Sequence, residues 1–211
     1  MSLVRRFARL VAAARRPDRH LGDVAVLKMD LAGVAPADVH RAAFEAVPLP
    51  EPLTLDELRA MPAGSFGAAV AGFMDEHGLQ PFTFSDALPA EVRERNRFGI
   101  RVAQTHDLIH VLCGFDTRWP GEMGVYAVQY AQHWGSSSTL TAWATWLIYP
   151  WLSGLKIGAL REAWRRGVAM GEAAPLLPAQ PLERWLAEPL DDVRQRLHLA
   201  GFGAVPAEEA A

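Results

Sequence analysis

The sequence predicts an all-α fold, a single compact helical domain. Three observations predict it. Successive segments place apolar residues at helical spacing between recognisable start and stop signals. No segment shows the convincing apolar/polar alternation of a half-buried strand. Half of the 211 residues are apolar, enough for a substantial core without disulfide staples.

The elements follow in order. Residues 2–16 (SLVRRFARLVAAARR) put Leu3, Phe7, Leu10, Val11 and Ala14 on one helical face, with Arg5, Arg6, Arg9, Arg15 and Arg16 as the charge and no acid before Asp18. Three readings compete for this segment: a basic amphipathic helix on an anionic membrane surface, a mitochondrial targeting peptide, or a terminal helix packed on the domain. A secretory signal does not fit, because arginines interrupt the apolar run. Residues 46–53 (AVPLPEPL) are a proline-rich connection. Thr54 and Glu57 form a capping box that starts the next helix, which Met61, Pro62 and Gly64 end. Ser65 caps a helix over about 66–77, rich in alanine and glycine, that Gly78 stops. Residues 79–89 are mostly loop. A long helical stretch runs from Glu91 to about Cys113, with a break expected near Gly99 and a C-terminal cap at Gly114. After the loop FDTRWP a helix starts near Pro120 or Gly121 and runs to about Trp134.

Residues 139–159 (TLTAWATWLIYPWLSGLKIGA) are strongly apolar and near the length of a membrane span. Pro150, Lys156 and several hydroxyls argue instead for two helical pieces kinked at Pro150, buried or lining a groove that accepts lipid. A basic helix (ALREAWRRGVAMG) follows, then short helices near 181–187 and 190–199. The expected division is 1–50, a basic amphipathic helix and linker; 51–200, the helical domain; and 201–211, a disordered tail.

Composition narrows the function. A formal charge of −3 gives no basic face for nucleic acid. The single cysteine, Cys113, cannot form an internal disulfide and lies in an apolar helix, which suits a buried, inert thiol. Seven tryptophans cluster toward the C-terminal half, as core or as a surface that meets lipid.

The chemistry lies in HDLIHVLCGFDTRWPGE. Taking His106 as zero on a helical wheel, His110 falls at about 40° and Asp107 at about 100°. Two imidazoles one turn apart can hold a single cation, as in the two-histidine helix of zinc proteases. Glu122 stands twelve residues after His110, beyond a loop with Gly114, Pro120 and Gly121 that can reverse the chain. Two histidines and a carboxylate, with open positions, fit catalytic zinc and non-haem iron equally. A phosphohydrolase of the histidine–aspartate type needs a further upstream histidine and a downstream aspartate that are not clearly placed. A ferritin-like di-iron site needs paired Glu-x-x-His motifs, and none is present. Arg101, Gln129 and His133 are weaker substrate-binding candidates; His20, His40, His77 and His198 receive no role.

These residues resemble the coenzyme Q (ubiquinone) biosynthesis protein four family, whose hallmark is His-Asp-x-x-His, eleven residues, then Glu. The likeness extends over roughly 55–198, through LDELRAMPAGSFGAAVAGFMDEHGLQPF, RNRFGIRVAQTHDLIHVLCGF and AWRRGVAMGEAAPLLPAQPLERWLAEPLDDVRQRL. It implies a helical protein at a membrane surface that acts in ubiquinone biosynthesis. The activity implied is removal of the C1 carboxylate of a polyprenylated hydroxybenzoate, coupled in its oxidative form to hydroxylation at that carbon. It also implies Zn2+ (alternatively Fe2+ or Mg2+) on His106, Asp107, His110 and Glu122, with Asp107 as a ligand or as a base beside the metal. Implied partners are an isoprenoid quinone precursor and other enzymes of the pathway. The expected place is the cytoplasmic side of the inner membrane, or the matrix side in a mitochondrion. A long isoprenoid tail requires an apolar groove, for which 66–77 and 139–159 are the candidate walls. Faces rich in alanine and glycine make a homodimer plausible. The competing reading is a non-catalytic lipid-binding scaffold whose metal pins two helices.

Overall fold

The computed structural model describes residues 2–17, 20–49, 51, 53–135 and 138–202, with the backbone alone at 138–141. The tail expected to be disordered lies mostly outside the described residues. Among those described, eleven α-helices and no strand are present. They are α1 (Leu3–Ala14), α2 (Leu21–Ala32), α3 (Arg41–Ala46), α4 (Leu55–Arg59), α5 (Phe66–His77), α6 (Ala90–Arg95), α7 (Arg97–Cys113), α8 (Trp119–Ala131), α9 (Ser138–Leu152), α10 (Ile157–Ala173) and α11 (Leu190–Arg196).

The caps read from sequence form. Thr54 and Glu57 make the reciprocal capping box of α4, and the Ser65 side chain accepts from the Ala68 amide at the start of α5. Gly78 and Gly114 close α5 and α7 in the left-handed region, at φ 64° and 67°.

Four local readings change. The stretch after α1, expected as linker, holds α2 and α3. The break in the long helix falls at Asn96, where the buried side-chain amide donates to the Val92 carbonyl (2.7 Å) and to Asp30 (3.2 Å). Gly99 instead sits inside α7 and lets Met29 of α2 pack against it; a Cβ there would lie 2.7 Å from the Met29 sulfur. Pro150 lies within α9, and the chain turns after it, at Gly154 and Leu155, both with positive φ. The segment near 181–187 is a single 3-10 turn, Leu182–Trp185.

The main core joins α5, α7, α8, α10 and α11 through Phe66, Val70, Ile109, Leu112, Val128, Met170 and Val193. The α8–α10 pair is the closest contact, because Gly167 and Gly171 of α10 lie on the α8 backbone; a Cβ at Gly167 would collide with the Gly124 carbonyl. Gln132, just past α8, binds this end together. Its amide nitrogen lies within hydrogen-bond distance of the carbonyls of Gly171, Ala174 and Pro175, and its oxygen accepts from Trp134 Nε1 and the Leu177 amide.

A smaller core of Val26, Leu27, Leu88, Val92 and Ile100 seats α2 on α6 and α7. Asp30, 1% exposed, clamps it: Arg95 donates to both carboxylate oxygens at 2.6 and 3.0 Å, and Arg6 of α1 donates to the Asp30 carbonyl at 2.8 Å. The outer face of α1 keeps Leu3, Val4 and Phe7 exposed. No described helix is long and apolar enough to cross a membrane.

The tryptophans divide between the core and the surface. Trp134 is core. Trp146 and Trp164 gather with Tyr126 and Tyr130 in an aromatic cluster between α8, α9 and α10. Trp143 and Trp151 lie open on α9.

Candidate metal centre

Helix α7 carries His106 and His110 one turn apart, and α8 carries Glu122 in its first turn. Two glycines bring the elements face to face. A Cβ on Gly121 would collide with the Asp116 carbonyl, and one on Gly124 with the Phe115 ring, so the start of α8 folds tightly onto the 115–116 loop. That reversal turns Glu122 back toward α7. One ligand atom from each of His106, His110 and Glu122 then lies within 4.8 Å of the others, and this is the group among the described residues able to hold a metal ion.

The two Nε2 atoms are 3.2 Å apart. Glu122 spans them, Oε2 lying 3.5 Å from His106 and Oε1 3.5 Å from His110. The nitrogen spacing suits a shared ion: donors at 2.0–2.1 Å around a tetrahedral centre stand roughly 3.3 Å apart. His110 is buried at 1% exposure, and its Nδ1 lies 3.3 Å from the Phe115 carbonyl. A carbonyl only accepts, so Nδ1 carries a hydrogen; in the neutral imidazole that ligates a metal, the Nε2 lone pair is then the one that faces the centre. Phe73 of α5 stacks on the same ring, at 5.6 Å between centroids. His106 is more open, at 40%. The donor set fits a divalent ion, with both imidazole nitrogens and the carboxylate converging on one side.

The charges support one another. Burial would raise the Glu122 carboxyl, but hydrogen bonding from the two imidazoles holds it down at about 2. Burial works against a charged His106, and Glu122 outweighs it, so this imidazole stands above its usual value.

Asp107 lies one residue from this group but is not part of the three-donor cluster. It lines a small recess of about 30 Å³ with Gln104, Thr105, Val70 and Met74, and burial raises its carboxyl above the ordinary range. Arg101 sits about 180° around α7 from His110. It is 2% exposed, donates to the carbonyls of Pro178 (2.7 Å) and Gln180 (2.5 Å), and pairs with Glu183 at 3.0 Å. It is neither a surface salt bridge nor turned toward the histidines. Gln129 shares the helical face of Glu122 but lies two turns, about 10 Å, farther along α8. His133 is exposed beyond the helix end, with φ 50°.

Tyr149 had no signal of its own in the Trp-rich run. Its ring packs edge-on against Trp119 at 5.2 Å. Burial raises its hydroxyl, and so do Glu122 and Tyr126, which places it within electrostatic reach of the centre. A cavity of about 460 Å³ adjoins the start of α8, lined by Phe115, Trp119, Leu152 and Ala163 with Arg118 and Lys156 among its polar groups. The end of 139–159 forms one wall of this cavity. Helix α5 borders the small recess instead, through Val70 and Met74. Cys113 is buried, which pushes its thiol up to about 12 and keeps it inert.

The family described as coenzyme Q (ubiquinone) biosynthesis protein Coq4 matches residues 50–201. Among solved structures, the chain is similar to the crystal structure of a protein from Nostoc punctiforme PCC 73102 named for ubiquinone biosynthesis. The match has 21% identity and a TM-score of 0.62, and it covers 93% of this chain and 96% of that one. At that identity the likeness speaks for the fold. No curated protein matches the chain.

Proposed function

The chain belongs to the coenzyme Q (ubiquinone) biosynthesis protein Coq4 family, and from this premise we propose that its part in ubiquinone biosynthesis is metal-dependent removal of the C1 carboxylate from a polyprenylated hydroxybenzoate. The observation that carries the proposal is the convergence of His106, His110 and Glu122 on one point. Three protein donors leave coordination positions open, as catalytic rather than structural sites do. Zinc is the ion we assign, with Fe2+ and Mg2+ as the alternatives that metal analysis separates.

A divalent ion bound there would supply Lewis acidity toward a carboxylate or phenolate oxygen. The chain's own groups have distinct tasks. His110, fixed by the Phe115 carbonyl and Phe73, and His106 with Glu122 hold the charge. When the C1–carboxylate bond breaks, carbon dioxide leaves and the electron pair stays on the ring, which then takes a proton. Asp107, whose buried carboxyl retains its proton more readily than usual, is the group we assign to deliver it. Hydroxylation at C1 would further require an oxidant. The cavity beside α8 is the assigned seat of the first isoprene units.

We assign 51–200 to the helical domain that bears this chemistry, and α1 to the membrane surface. Helix α1 has exposed Leu3, Val4 and Phe7 beside its arginines, as an interfacial helix requires. The scaffold reading keeps one supporting observation, that none of the three donors lines the 460 Å³ cavity.

The test is metal analysis of purified protein, then incubation with a polyprenyl-hydroxybenzoate in air and without it. Carbon dioxide release by the wild type and its loss in His110→Ala of normal helical content are expected. Full turnover by that variant would remove the catalytic reading and leave the scaffold.

A further inference from the structure

Helix α9 is apolar on all sides, yet only one side is covered. On a wheel with Trp143 at zero, Ala142, Thr145, Trp146 and Tyr149 fall between about 200° and 300°, toward the α8 and α10 contacts. Trp143, Leu147, Trp151, Ile148 and Leu152 occupy the other half. Their exposures are 75%, 72%, 74%, 50% and 47%, and Leu155 beyond the helix end adds 57%. A contiguous face of this kind marks an interaction surface. From Trp134 to Leu155 the chain has no charged residue.

We propose that this face inserts into the headgroup–acyl boundary of an anionic bilayer and is the main membrane-docking element. The proposal rests on the membrane-surface reading above and names the face that carries it.

Two observations choose this occupant. The first is length. Fifteen residues rise about 22 Å, short of a hydrocarbon core of about 30 Å, so α9 lies in the interface plane rather than crossing it. Its exposed tryptophans are the residue type favoured at that depth. The second is charge. Immediately after the face, residues 156–166 carry Lys156, Arg161, Arg165 and Arg166 against the single acid Glu162, in a chain whose formal charge is −3. An anionic headgroup layer complements the exposed cations among them, Lys156 and Arg161, since Arg165 is paired with Glu162 and Arg166 lies over the Phe115 ring. A second copy of the chain does not, since a two-fold contact sets the same patch against itself and brings cation toward cation. Leu152 and Lys156 also line the 460 Å³ cavity, so docking by this face would bring the cavity to the lipid surface.

The test is co-sedimentation of the full chain with phosphatidylcholine vesicles and with mixed phosphatidylcholine–phosphatidylglycerol vesicles. The variant combines Trp143→Ser, Leu147→Ser and Trp151→Ser, all at well-exposed positions, with circular dichroism to verify unchanged helicity. Wild type is expected to partition to the mixed vesicles more than to the neutral ones, and less in high salt. The triple variant is expected to lose at least about tenfold in partition, and the loss should exceed that of Leu3→Ser with Phe7→Ser in α1. Undiminished binding by the triple variant overturns the proposal, as does absence of wild-type binding to either vesicle. A wild-type dimer that the triple variant converts to monomer by light scattering, with vesicle binding unchanged, assigns the face to a subunit contact and also overturns it. His110→Ala should bind vesicles like the wild type. Loss of its turnover is therefore read separately from docking, and each reading can fail without the other.

Discussion

The Nε2 atoms of His106 and His110 stand 3.2 Å apart, on successive turns of one helix, with the Glu122 carboxylate across both. Two nitrogen donors at that spacing either share a hydrogen or share an ion. One equivalent of zinc per chain is expected by metal analysis after equilibration and desalting. It should raise the melting temperature, because binding to the folded state alone adds stability by mass action. His106→Ala and His110→Ala should each abolish the increase. His106, the more open of the two, is the cleaner variant, since its removal disturbs less of the core.

Asp107 separates a metal ligand from a proton donor. It stands outside the three-donor cluster and lines the adjoining recess. Asp107→Asn is therefore expected to keep its zinc stoichiometry while carbon dioxide release falls by about 10²-fold or more. A loss of metal in this variant would make Asp107 a fourth ligand.

Gly167 lies where α10 crosses α8. Gly167→Ala would drive a methyl group into the Gly124 carbonyl and to 2.8 Å from the Ala127 Cβ. The expected cost is about 2 kcal/mol in chemical denaturation, typical of an overpacked contact. Gly72→Ala, with open space around its would-be Cβ, should lose no stability.

Asp30 gives a pH dependence. Hydrogen bonding from Arg95 holds its carboxyl below the ordinary value, against the opposing effect of burial. The folded state thus binds this proton less readily than the unfolded chain. The resulting stability is present in full above the unfolded value of about 3.9 and is lost as pH falls from there through the depressed folded value. Asp30→Asn should remove that part of the acid transition and cost about 2 kcal/mol at neutral pH, measured by urea melts at several pH values.

Arg101 is expected to behave as a structural residue. Its guanidinium reaches two carbonyls and Glu183 from a buried position. Arg101→Ala should cost about 3 kcal/mol, and Arg101→Lys should fail to restore it, because an ammonium cannot reproduce the planar fork. Metal content should be unchanged in both.

How much was legible depended on range. The box at Thr54–Glu57, the cap at Ser65 and the terminators Gly78 and Gly114 act within one turn, so the order of residues determined them. The same holds for the shared face of His106 and His110, which helical periodicity dictates. Glu122 needed only a chain reversal of known length. Other features depended on neighbours far along the chain. Gly99 reads locally as a helix break, but Met29 of α2 packs over it, and the break moves to Asn96, whose amide is held by Asp30. Arg101 reads as a possible anion binder until the 178–183 segment folds across it. Tyr149 enters the surroundings of Glu122 only because α9 lies against α8. An uninterrupted apolar run gave no sign of which half of α9 would be covered. Periodicity and caps are set by residues a turn apart, so the sequence alone determined the capped helices and the histidine pair; which side chains meet across helices is set by packing, so only the tertiary structure decided where Asp107, Arg101, Tyr149 and the open face of α9 lie.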